Sequence, residues 1–188
     1  MTIEEKIKKM YTFDSRRNSN KTHFDINTVG SEGYGETGFN SIEILISHYL
    51  EYFNNDSVFY DLGSGTGKIV YHVGYLYNVK KACGIEYSTE RHSSGLSLTQ
   101  KYDLPVTDNI QLINDNILDC DISDATVIYS DNTLFPVWIN KKIYDKIPKG
   151  CIVFSKAPLT KNKEEAIKTN ISFISEYGTN SLHIFKKL

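Results

Sequence analysis

From Ser57 to Leu62 the chain is almost continuously apolar, and it then breaks into Gly63-Ser64-Gly65-Thr66-Gly67. A short apolar run stopped by glycines reads as a buried strand entering a turn. Apolar residues at helical spacing follow and predict a helix over 67–77. Gly74 weakens such a helix by roughly 1 kcal/mol relative to Ala, so close packing on a sheet is the expected reason for it. The same alternation repeats downstream: a strand over 81–86, a helix over 89–102, strands over 109–113 and 125–130, a helix over 136–147 and a strand over 150–155. Ser88 is placed to cap the helix at 89, with Arg91 its third residue. Residues 125–130 read as buried on both faces. Upstream, Ile42, Leu45, Ile46, Tyr49, Leu50 and Phe53 predict a helix within 40–53, and residues 1–12 a short lysine-rich helix. Residues 13–33 are polar and turn-rich, while 163–169 predict a short helix before two closing strands at 170–177 and 181–187. Alternation of strand and helix gives an α/β fold built on a parallel sheet.

Composition narrows the class. At 188 residues, 40% hydrophobic and 23% charged, the chain is sized for one ordinary globular domain over 31–188 behind a short basic arm over 1–30. A net charge of −2 argues against a polyanion binder acting through the whole chain. The arm differs: it carries Arg16-Arg17, two of the three arginines present. No apolar run approaches a membrane span, and the N-terminus lacks a signal-peptide core, so a nuclear or cytoplasmic protein that is not secreted is expected. Cys83, Cys120 and Cys151 form no Cys-x-x-Cys pair and read as small core residues; no metal spacing occurs among the histidines.

The glycine turn carries the chemistry. Its glycines let a ligand approach the backbone, and the helix start offers free N–H groups. Glu86 ends the next strand, about 20 residues on, where doubly wound folds hold ribose hydroxyls. A phosphate loop would need Ser or Thr after Lys68, but Ile69 stands there; a dinucleotide fingerprint wants Gly or Ala where Lys68 itself stands. Asp61 followed by Gly63-x-Gly65-x-Gly67 resembles motif I of class I S-adenosylmethionine methyltransferases. That resemblance implies a Rossmann-like, mainly parallel seven-stranded sheet with helices on both faces and an antiparallel closing pair.

Four further segments narrow the resemblance: Gly33-Tyr34-Gly35-Glu36-Thr37-Gly38-Phe39, Asn114-Asp115-Asn116-Ile117-Leu118, the stretch from Val127 to Pro136, and Ile152-Val153-Phe154-Ser155-Lys156-Ala157-Pro158-Leu159. In order and spacing they resemble the Dot-type (disruptor of telomeric silencing) histone lysine methyltransferases over residues 30–188. The resemblance implies a loop of Tyr34, Gly35, Glu36 and Thr37 closing over the methionine end of S-adenosylmethionine. It implies further cofactor contacts from Asp61, Gly63, Ser64, Gly65, Gly67, Lys68, Glu86, Asp115 and Asn116. Asp131, Asn132 and Phe135, with Tyr34, would line the methyl-transfer centre, Asp131 and Phe135 also touching the cofactor. Tyr34, Tyr129, Phe135 and Trp138 are the apolar candidates for a lysine channel.

The chain also departs from that family. Asp131-Asn132-Thr133-Leu134-Phe135 replaces Asn-Asn-Phe-x-Phe, Lys68 stands at a usual glutamine, and the aromatic channel is poorly matched at Thr179-Asn180-Ser181, although Leu182-His183 fits. The family's long N-terminal region is short here, and its basic nucleosome-binding tail has no counterpart in residues 1–188. Arg16 and Arg17 are then the candidates for docking on DNA phosphates or an acidic histone surface. The expected activity is methyl transfer to a lysine of a core histone, histone H3 in the nucleosome, by a monomer, with S-adenosylhomocysteine as product. The alternatives are an amino methyltransferase of nucleic acid or glutamine, in which Asn132-Thr133 replaces the usual prolines, and a non-catalytic chromatin module. The abundance of Lys, Asn and Ile suggests an A+T-rich gene, as in a large virus or a protist.

Overall fold

The computed structural model describes residues 1–12, 37–160 and 182–188, together with the backbone of 173–175 and 178–180. Five helices are described: α1 (Ile3–Thr12), α2 (Phe39–His48), α3 (Lys68–Leu76), α4 (Thr89–Lys101) and α5 (Val137–Lys146). The strands are β1 (Val58–Leu62), β2 (Lys81–Glu86), β3 (Ile110–Asn114), β4 (Val127–Ser130), β5 (Ile152–Ser155), β6 (Phe173–Ser175), β7 (Gly178–Asn180) and β8 (His183–Lys186).

The main sheet has the order β3-β2-β1-β4-β5-β8. Its first five strands are parallel, and β8 runs antiparallel to β5 with Val153 facing Phe185. Alternate side chains of each strand go to opposite faces. Phe59, Ala82, Val127, Tyr129 and Phe154 meet α2 and α3 through Ile42, Leu45, Ile46, Val70 and Val73. Tyr60, Leu62, Cys83, Ile85, Ile128 and Val153 meet α5 through Ile139 and Ile143 on the other face. The strand order reverses between β1 and β4, and the carboxyl ends at such a switch point are where open α/β sheets bind ligands.

Two expectations need correction. The sheet has six strands rather than seven among the described residues, because β6 and β7 pair with each other as a separate hairpin. A strand-forming run does not encode which edge it joins, so 170–177 read as one sheet strand. The helix expected over 40–53 ends at His48: Tyr49 leaves the helical region at φ −132°, and a 3-10 turn (Leu50–Tyr52) carries Phe53 into the core. The helix expected over 1–12 forms as α1. Ile7 and Met10 are buried against Phe39, Tyr71 and Leu104, which docks α1 on α3. Ile3, Ile7, Met10 and Tyr11 recur at helical spacing, a signal that the lysines obscure. The helix expected over 163–169 lies outside the described residues.

Candidate functional site

Five strand ends converge. β1 runs into a turn whose glycines Gly63, Gly65 and Gly67 have φ of 87°, 56° and 75°, a region that side-chain-bearing residues seldom adopt. The turn is fixed to its neighbours: the Gly63 and Ser64 N–H groups both donate to the Ile85 carbonyl, at 2.9 and 3.0 Å, and Ser130 Oγ donates to the Leu62 carbonyl at 2.9 Å. A Cβ on Gly84 would lie 2.7 Å from Ser64 Oγ, so the turn sits flush against β2. Lys68 opens α3 and is buried.

Glu86 ends β2, and its side chain is only 6% exposed. The Gly65 N–H donates to its Oε2 at 2.8 Å, while the Ser88 N–H donates to Oε1 at 2.8 Å. Arg91 reaches the same Oε1 through Nε at 3.1 Å and Nη2 at 2.8 Å. Ser88 caps α4 as expected, accepting from the Arg91 N–H. After β3, the Asp115 N–H donates to the Glu86 carbonyl at 3.2 Å, and Asp115 Oδ1 accepts from the Asn116 N–H at 2.7 Å. This loop thus borders Glu86, with Asp115 exposed and Asn116 half-buried.

The ends of β4 and β5 form tiers. Ser130 faces Ser155 in register, and the Lys156 N–H donates to the Ser130 carbonyl at 3.2 Å. Next, Lys156 Nζ meets Asp131 Oδ2 at 2.6 Å, the lysine side chain 3% and the aspartate 23% exposed. Thr133 Oγ1 donates to Asp131 Oδ1 at 3.0 Å. One step further, Asn132 is completely buried: its amide donates to Asn140 Oδ1 and the Ala157 carbonyl, while its Oδ1 accepts from the Ala157 N–H. Both amide hydrogens are therefore used inside the protein, and Asn132 clamps the two loops together. Sequence reasoning does not single out Lys156, because its partner lies 25 residues away and no local spacing announces it.

Phe135 is half-buried over the turn, where a Cβ on Gly63 would meet its Cζ at 3.0 Å. Tyr129 is buried within the sheet and bonds Thr37 Oγ1 at 2.9 Å, which brings the chain at Thr37 to the strand tips. Trp138 points away, 51% exposed under the Lys142 ammonium, and does not join Phe135 and Tyr129. Tyr34, Gly35 and Glu36, and the docking pair Arg16 and Arg17, lie outside the described residues.

Electrostatics gather at Asp61. Burial pushes its carboxyl well above the usual range; Asp131 and then Glu86 push it further, and Lys156 opposes them. Among the described residues, Glu86 and Asp131 each have a cation in contact, Arg91 and Lys156, while no ion pair of Asp61 is found. No cluster of metal-ligating side chains occurs among the described residues.

Residues 16–186 match the family described as histone methylation protein DOT1. The chain belongs to the DOT1 family. A protein-lysine N-methyltransferase of Saccharolobus islandicus (strain REY15A) is 34% identical to it over 97 residues, 51% of this chain and 56% of the relative. The match thus spans little more than half of that relative's length. Among solved structures, an RNA methyltransferase from Salinibacter ruber in complex with S-adenosylhomocysteine superposes with a TM-score of 0.61 at 18% identity, covering 80% of this chain and 92% of that one. A methyltransferase from Geobacter sulfurreducens, also with S-adenosylhomocysteine, gives 0.50 at 14% identity, covering 63% and 48%. These likenesses establish the class I methyltransferase fold. The cofactor of the DOT1 family is S-adenosylmethionine, and the donor set fits it. Among the described residues, the buried carboxylate of Glu86 ends β2 and the buried Asp61 in β1 has no ion pair, acceptors of the kind that ribose hydroxyls and a cationic methionine end require.

Proposed function

We propose that this chain is a protein-lysine N-methyltransferase that uses S-adenosylmethionine, with a lysine of a core histone, histone H3 in the nucleosome, as its expected acceptor. The observation that carries the reading is the DOT1 match across residues 16–186 on a fold whose strand tips hold Asp61, Glu86 and Asp131 around one glycine turn. The lysine activity named for the archaeal relative supports the acceptor class.

When bound, the cofactor supplies a methyl group on a sulfonium, open to in-line displacement by a neutral amine. The protein's part is placement. Glu86 would accept hydrogen bonds from the ribose hydroxyls, the backbone of the turn from Gly63 to Gly67 would let the ligand approach closely, and Asp61 would take the cationic end. Phe135 and the Asp131–Lys156 pair shape the acceptor side. A lysine amine holds its proton with a pKa near 10.4, so neutralising it at pH 7 corresponds to roughly 4–5 kcal/mol. A dry site beside a sulfonium lowers that cost by disfavouring the ammonium. Lys156 and Thr133 each engage one oxygen of Asp131 and orient it, and each oxygen keeps a further acceptor position for the amine, or for a water that carries its proton away. Arg16 and Arg17 would supply contacts to nucleosomal phosphates.

Methyl label from the cofactor, offered side by side to nucleosomes, free histones, unrelated lysine-rich proteins and nucleic acid, tests the reading. Label on lysine in the histone arms is expected. Label confined to nucleic acid would replace it with an amino methyltransferase of nucleic acid, and cofactor binding without any transfer would leave a binding module.

A further inference from the structure

The way Glu86 is held gives one side chain on α4 a role in the cofactor site. A carboxylate offers about four acceptor positions, two on each oxygen. Among the described residues, Oε1 takes the Ser88 N–H together with both Arg91 contacts, while Oε2 takes only the Gly65 N–H. A guanidinium normally spans a carboxylate with two parallel bonds, one to each oxygen. Arg91 does not: Nε and Nη2 both address Oε1, so the fork grips one corner and leaves a position on Oε2 open. Its place in the fold is also unfavourable locally. Arg91 lies in the first turn of α4, at the positive end of the helix dipole, where cations are disfavoured. The ion pair with a Glu86 side chain that is 6% exposed offsets that.

We propose that Arg91 is a positioning residue for cofactor binding. With the Gly65 and Ser88 N–H groups it fixes the Glu86 carboxylate from outside and turns the remaining acceptor edge toward the ribose. It also supplies the counter-charge that lets Glu86 sit near Asp61, whose carboxyl it already raises. The inference rests on the reading of an adenosyl cofactor and adds a residue outside the glycine turn and the strand tips.

The test is calorimetric binding of S-adenosylhomocysteine and of 5′-methylthioadenosine to the full chain and to Arg91→Met, Arg91→Lys, Glu86→Gln and the Glu86→Gln/Arg91→Met double variant. Arg91→Met is expected to weaken both ligands by about tenfold or more, by the same factor for each, because the loss falls on the nucleoside half they share. Arg91→Lys, which keeps the charge and loses the fork, should recover part of it. The double variant should bind no worse than Glu86→Gln alone, since Arg91 acts through that carboxylate. Unchanged or tighter binding in Arg91→Met would overturn the proposal, the tighter case showing that Arg91 competes with ribose. Fully additive losses in the double variant would overturn it as well. Circular dichroism checks each fold; if Arg91→Met does not fold, the lysine variant decides, and wild-type affinity there counts against the proposal. Wild-type protein that binds neither ligand would instead remove the cofactor reading beneath it.

Discussion

Asp61 is 3% exposed, and its carboxyl is raised first by burial, then by Asp131 and Glu86, against Lys156. A cation arriving on the methionine end reverses that balance, so binding should release a proton from this group. Affinity for S-adenosylmethionine is then expected to rise as pH increases through the range in which the ligand-free Asp61 titrates. Calorimetry in buffers of different ionisation heat reads the released proton directly; Asp61→Asn should abolish that component, and an unchanged proton count in the variant would refute the coupling. The stability sign follows from the same shift. A carboxyl raised in the folded state contributes fully below the unfolded value near 3.9, and that contribution is lost as pH rises toward the folded value. The ligand-free protein should therefore lose melting temperature across that window, and bound cofactor should restore it.

The second residue-scale case is the Asp131–Lys156 pair. Removing one partner of a fully buried pair costs about 3–5 kcal/mol. Asp131 is 23% exposed, so about 1–3 kcal/mol is expected here. Asp131→Asn and Lys156→Met should each slow single-turnover methyl transfer. The double variant should lose less than the sum, because each single change strands the other group. Strict additivity would show that the contact does not couple the loops.

Between elements, close backbone approach sets the spacing. A Cβ on Gly95 in α4 would lie 2.7 Å from the Thr66 carbonyl oxygen, and one on Gly74 in α3 would lie 2.4 Å from the Ile110 side chain. Helix propensity alone would make Gly95→Ala stabilising by about 1 kcal/mol. Overpacking against a backbone atom, which cannot rotate away, costs about 1–3 kcal/mol. We expect a net loss of about 1 kcal/mol in urea unfolding, together with weaker cofactor binding, because Thr66 belongs to the turn. A stabilised Gly95→Ala protein would mean that α4 can ride up without cost. Gly74 was legible as a packing glycine because it interrupts an otherwise apolar helix. Gly95 was not, because α4 is polar on its outer side and carries no strong stripe. Likewise the strand tips Asp61 and Glu86 could be read from their distance to the glycines. Lys156 and the amide of Asn132 could not, since their partners are set by the β4–β5 register rather than by local spacing.

At the scale of the whole molecule, one polar knot ties three helices. His72 on α3 is fully buried, with Nε2 against Glu43 Oε1 at 2.5 Å and Nδ1 against the Tyr11 hydroxyl at 3.1 Å. Tyr77 donates to the same Glu43 oxygen at 2.8 Å, and Phe39 stacks on the imidazole at 4.6 Å. The His72 hydrogen bond is the main cause holding the Glu43 carboxyl below its ordinary value. A lowered carboxyl contributes stability above its unfolded value near 4.3, and that stability is lost as pH falls toward the folded value. Glu43→Gln should flatten this acid limb of the melting curve and cost about 1 kcal/mol at neutral pH, a modest figure because the Glu43 side chain is 39% exposed. An identical acid limb in the variant would rule out the knot as its source.

Cys83, Cys120 and Cys151 are all buried and unpaired, and burial pushes the Cys83 thiol up to about 11 and the Cys151 thiol up to about 12. A thiol that is both shielded and protonated does not react with disulfide reagents or maleimides until the surrounding structure opens. The protein therefore carries its own clock for breathing motions, spread over β2, the approach to β4 and the start of β5. Labelling rates at those three positions, read by mass spectrometry with and without cofactor, would map which strand opens first. A single cysteine introduced on the surface would react selectively and accept a fluorophore without removal of the native three.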